Sequence, residues 1–100
     1  MPGLRLILTD WQGERAAAAI EAAAATAALG HPVSVLLRGP ALALPAESIA
    51  MLHDLGVRIT ACQTAMAAAG LPATALPPGV EPGGMIAFLA NAQGAQLLLA

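Results

Sequence analysis

The chain contains no lysine, and its only basic residues besides two histidines are Arg5, Arg15, Arg38 and Arg58. Charged residues make up 10% of the sequence, where a typical soluble domain has about a quarter. Four scattered arginines and a net charge of −2 argue against nucleic acid as the main partner. Only two aromatic residues are present, Trp11 and Phe88, so no base-stacking platform can be built. A globule with so little charge cannot cover its own surface with it. The expectation is that part of the surface is buried against further subunits.

Cysteine is nearly absent as well. Cys62 stands alone, which excludes an intrachain disulfide, and with two distant histidines it cannot form a metal cluster. No cofactor is expected. The opening apolar run is too short for a signal peptide, and residues 16–29, mostly alanine, fall short of the ~20 strongly apolar residues of a membrane span. A soluble protein in a reducing cytoplasm is the expectation, with no membrane partner.

What is present is a regular alternation. One hundred residues make a single small domain, 1–100. Of its apolar residues 26 are alanine, leaving 32 larger ones for a core. Leu4–Leu8 and Val33–Leu37 read as strands buried on both faces. Residues 57–61 make a third strand, 80–81 a very short one and 95–99 a last one. Between them helices are expected over 14–29, 46–55, 63–70 and 85–91. Gly30 and Gly56 serve as stops, Pro45 stands at the first helical position, and 71–79 is a proline-rich loop. Ile20 and Leu29 are the large members of the first helix's apolar face, and Ile49, Leu52 and Leu55 line the second. Strand–helix alternation implies right-handed crossovers and a mostly parallel sheet of four to five strands, covered on both faces.

In such sheets ligands sit beyond the carboxyl ends of the strands. Cys62 follows the third strand and opens a helix. Backbone N–H groups there favour a thiolate, the form that carries sulfur. A free cysteine is as often a small buried hydrophobe, and placement alone leaves both readings open. His31 and His53 each precede a strand, so they lie at the opposite edge, roughly 16 Å away. A Cys–His pair would need a neighbouring subunit.

The same carboxyl edge holds Arg38, either an anion clamp or an ordinary strand-end charge. Asp10 and Trp11 line it too, Trp11 as pocket wall or intersubunit plug. Gln63 and Thr64 carry the helix-end N–H groups. Gly83 and Gly84 precede the last helix, as an anion cradle or a plain turn.

The segment Leu55-Gly56-Val57-Arg58-Ile59-Thr60-Ala61-Cys62-Gln63-Thr64-Ala65-Met66, followed by Gly70-Leu71, resembles the DsrE/DsrF-like family. So does Leu76-Pro77-Pro78-Gly79-Val80-Glu81-Pro82-Gly83-Gly84 before a helix and terminal strand. The early strand and Glu14-Arg15-Ala16, opening an alanine-rich helix that ends in Gly30-His31, fit as well. The resemblance implies a three-layer α/β/α domain with a mostly parallel five-stranded sheet, and homo-oligomers that are trimers or hexamers. In relatives a cysteine accepts sulfur as a persulfide and passes it on, in sulfur oxidation or tRNA thiolation. The matching residue is Cys62, with donor and acceptor proteins as its partners. This chain has no second cysteine to resolve a sulfenic acid, and little charge with which to grip tRNA. A persulfide carrier is the leading expectation. A non-catalytic oligomeric binding module and a thiol redox sensor are the alternatives.

Overall fold

The computed structural model describes residues 3–90 and 94–100. The element order is β1 (Leu4–Leu8), α1 (Glu14–Ala28), β2 (Val33–Leu37), α2 (Ala46–Asp54), β3 (Arg58–Cys62), α3 (Gln63–Ala68), β4 (Val80–Gly83), α4 (Met85–Ala90) and β5 (Gln96–Leu99). Short 3-10 turns occupy Gly39–Ala43 and Ala73–Ala75.

The five strands form one sheet in the order β4-β3-β2-β1-β5, and all four pairings are parallel. The steps from β1 through β4 run in one direction across the sheet. A constant crossover hand therefore puts their connections on one face. The step from β4 to β5 runs back across the whole sheet, which puts α4 on the other. The packing agrees. Leu4, Leu6, Leu8, Val35, Leu37 and Ile59 form the large core with Ala16, Ala19 and Ala23 of α1 and Ile49 and Leu52 of α2. On the opposite face Ile7, Leu36 and Cys62 meet, among the described residues, one buried helical side chain, Phe88 of α4. Helices thus pack on both faces, but unevenly.

Local chemistry explains where the elements stop. Gly30 (φ 89°) and Gly56 (φ 85°) adopt left-handed backbone just past α1 and α2, a conformation that costs glycine little. The residue before each is a cap outside the helical face. Hence Leu29 is 75% exposed and Leu55 also faces solvent, contrary to their expected core positions. The buried face of α1 is alanine instead, which brings the helix close to the sheet. Pro45 is the N-cap of α2 rather than its first residue.

Three strand expectations also shift. β1 is not apolar on both faces, because Arg5 lies half-buried on the α4 side. β3 begins at Arg58 and includes Cys62, since its ladder with β4 runs on to pair Cys62 with Gly83. β4 extends over four residues and tolerates Pro82 because it is an edge strand, where a missing N–H breaks no ladder. The expected end of the last helix, Asn91, lies outside the described residues.

Gly83 is required by contact. A Cβ there would stand 2.6 Å from Thr60 Cγ2, whereas one on Gly84 meets nothing within 4 Å. Gly83→Ala is expected to cost about 1–3 kcal/mol by overpacking, and Gly84→Ala much less, read from urea-unfolding midpoints. Equal midpoints for the two variants would show that Thr60 yields freely.

Candidate functional site

β3 and β4 are neighbours whose following connections leave to opposite faces. The chain after β3 returns over the large core, through Met66, Leu71 and Leu76. The chain after β4 enters α4 on the other side. In open α/β sheets ligands bind beyond the carboxyl ends of strands at such a reversal. Cys62 and Gly83, paired in register, are the last residues of those strands.

Cys62 is extended (φ −65°, ψ 118°) and caps α3. Its side chain is 3% exposed, packed with Ile7, Leu36 and Phe88, with Ala65 and Met85 partly buried against that group. The thiol is therefore covered from the α4 side. Gln63 and Thr64 form the exposed first turn of α3 and make no side-chain cap.

Arg38 continues β2 by one residue. Its backbone is extended (φ −147°, ψ 157°) and its N–H donates to Leu8 O at 3.1 Å. One step beyond the Leu37–Ala61 pair, the register sets Arg38 opposite Cys62, on the same face by strand alternation. No hydrogen bond joins them among the described residues.

Asp10 and Trp11 stand at the same edge with other duties. Asp10 Oδ1 accepts from the N–H groups of Trp11 (2.7 Å) and Gln12 (3.2 Å), closing its own turn. Trp11 packs against the large core, across the sheet from the thiol group. Gly84 O accepts from Phe88 N–H at 3.0 Å and so anchors the first turn of α4. His31 precedes β2, and His53 lies against Gly79 in a cavity of about 250 Å³ at the amino edge. Neither is brought to Cys62. Among the described residues no group of His, Cys, Asp and Glu could hold a metal ion, and no helix is long and apolar enough to cross a membrane.

The DsrE/DsrF-like family model matches residues 6–99, nearly the whole chain. The chain belongs to the DsrE/DsrF-like family. No curated protein matches it. The crystal structure of ychN protein from E. coli is similar in fold, with a TM-score of 0.79 at 17% identity over 100% of both chains. MTH1491 from Methanobacterium thermoautotrophicum, titled a protein of unknown function, gives a TM-score of 0.77 at 17% identity over 98% of each chain. BT1422 from Bacteroides thetaiotaomicron, also of unknown function, gives 0.75 at 19% identity over 99% of this chain and 95% of its own. These likenesses show the α/β fold.

The residue that sequence reasoning missed is Phe88. It lies 26 positions beyond the cysteine in the chain, and only the return of α4 across the sheet brings it over the thiol. Phe88→Ala is expected to raise the alkylation rate of native Cys62 about tenfold, as ~1.4 kcal/mol less opening energy would. An unchanged rate would mean that reagents reach the thiol by another path.

Proposed function

We propose that the protein carries sulfane sulfur as a persulfide on Cys62. The observation that supports this most is the placement of the chain's one cysteine at the carboxyl end of β3, beside β4 at the strand reversal, in a chain of the DsrE/DsrF-like family. The Cys62 thiolate attacks the outer sulfur of a donor perthiol, R–S–SH. The new Cys62–S bond forms as the donor S–S bond breaks. The proton stays on the transferred sulfur, and the electron pair leaves with R–S⁻. Attack by an acceptor thiolate on the same outer sulfur reverses the roles and unloads the carrier. Arg38, in the neighbouring register position, is suited to an anionic sulfur species. Donor and acceptor proteins are the expected partners, and a reducing cytoplasm suits an unpaired thiol.

The burial of Cys62 favours a second reading, a non-catalytic oligomeric binding module in which the cysteine is a filler. A redox sensor that joins two subunits through Cys62 is a third. On treatment with polysulfide, the native protein is expected to gain one sulfur atom by intact mass, and Cys62→Ser none. Equal gain by the variant would overturn the carrier. A thiol inert to both polysulfide and alkylation would favour the filler. A dimer band that forms on mild oxidation and vanishes on reduction would favour the sensor.

The carrier is proposed to work as a homo-oligomer, a trimer or hexamer. β5 is an edge strand with all four residues exposed, and it carries no charged or proline residue to block pairing. Its Leu97 (51%) and Leu99 (69%) share a sheet face with α4, whose Ile86 is 87% exposed. Leu99→Glu is expected to shift the protein to monomer in sedimentation velocity. An unchanged sedimentation coefficient would place the interface elsewhere.

A further inference from the structure

The α4 face of the sheet holds an uneven share of the charge. Strand register sets Arg5, Ser34 and Arg58 in one row across β1, β2 and β3. Alternation adds Arg38 on the same face, so three of the four arginines of an acidic chain gather there. Between that face and α4 lies a cavity of about 230 Å³, whose lining includes Arg5, Arg58, Thr60, Glu81, Gly83 and Phe88. Its size is below the ~300 Å³ at which sites for drug-sized ligands begin, which suits a molecule of few heavy atoms.

The lining offers both signs of charge in a fixed order. The guanidinium groups of Arg5 and Arg58 come from strands two spacings apart, about 10 Å between backbones. Arg5 is held in place by Phe88: its Nη1 donates to Phe88 O at 3.4 Å, and its guanidinium lies 5.5 Å from the centre of the ring. One row further along the strands, the Thr60 side chain lies on this face beside Glu81. The next row is Cys62 and Gly83. Along β3 the sequence on this face is thus cation, hydroxyl, thiol, with about 6.6 Å between successive residues. Gly83 and Phe88 belong to both places: Gly83 is the register partner of Cys62, and Phe88 packs on its side chain.

A guanidinium pair binds a carboxylate by forked hydrogen bonds, and a lone carboxylate in the same wall binds an ammonium. Together they complement an α-amino acid. A free inorganic oxyanion would gain from the arginines but be repelled by Glu81. We infer that this cavity binds a small α-amino acid bearing sulfur, and that a low-molecular-weight amino-acid perthiol is the sulfur donor to Cys62. The donor's carboxylate sits on Arg5 and Arg58, its ammonium on Glu81, and its sulfur end is directed along β3 toward the Cys62–Gly83 row. The identity of the donor rests on the carrier reading of Cys62; the amino-acid site does not.

The probe is S-methyl-L-cysteine, which has no thiol and so reports binding without transfer, added to the full-length wild-type protein and followed by calorimetry. It is expected to bind. Its N-acetyl derivative and its methyl ester are expected to bind about tenfold more weakly, each having lost one charge contact. Arg58→Gln and Glu81→Gln, both at exposed positions, should each cost a similar factor. Absence of binding would overturn the site. So would indifference to the acetyl and ester blocks, or inorganic sulfate binding as tightly as the amino acid. Binding of S-methyl-L-cysteine with no sulfur gain on Cys62 from cysteine perthiol would leave the site standing and remove the donor assignment. Sulfur gain from polysulfide without amino-acid binding would overturn both the site and the donor assignment and leave only the carrier reading of Cys62.

Discussion

The arrangement depends on one constraint: crossovers between parallel strands are almost always right-handed. The chain spends three such crossovers in one direction and the fourth in the other. That single reversal fixes which face α1 and α2 cover and why α4 lies on the other. It also decides the environment of the thiol. Cys62 ends β3 on the α4 face, where among the described residues Phe88 and Met85 of that six-residue helix and Ala65 of α3 pack against its cluster. The large core can stay rigid while this cover moves. Lids are ordinarily drawn from such sparsely packed elements.

The scarcity of charge has two consequences. With charged residues so few, edge strand β5 is left apolar and exposed, and association with further copies is its natural remedy. Scarcity also makes position informative. Arg5, Arg58 and Arg38 share one sheet face through strand alternation, where an average protein would scatter many more cations. A carrier that must admit a small polar donor, and yet keep its thiol covered, gains from charge placed beside the thiol rather than around the whole molecule.

Much of the fold was legible in the residues. Leu4–Leu8 and Val33–Leu37 were bounded correctly because compact runs of Leu and Val between turn residues can hardly be anything but strands. Gly30 and Gly56 marked the helix ends because left-handed backbone there favours glycine. Leu29 and Leu55 misled because periodicity carries on past a cap, while the chain does not. The extra length of β4 was hidden by Pro82, a residue that argues against a strand except at an edge, and edges are a property of strand order. Cys62 and Arg38 were placed at the carboxyl edge by strand direction alone. The cavity is hard to read from sequence, because Arg5 lies within an apolar run and Phe88 is distant along the chain. The alternation Leu4-Arg5-Leu6 and Val57-Arg58-Ile59 held the signal, one polar residue on the same side of each strand.

The central claim is that a covered thiol at the strand reversal takes up and releases sulfur in the folded protein. Native mass spectrometry over time tests it directly, with polysulfide added first and a small acceptor thiol second, beside the same protein unfolded in urea. The account expects native Cys62 to gain one sulfur atom and then to lose it to the acceptor. Sulfur uptake by the unfolded chain alone would contradict it and make Cys62 a buried part of the core.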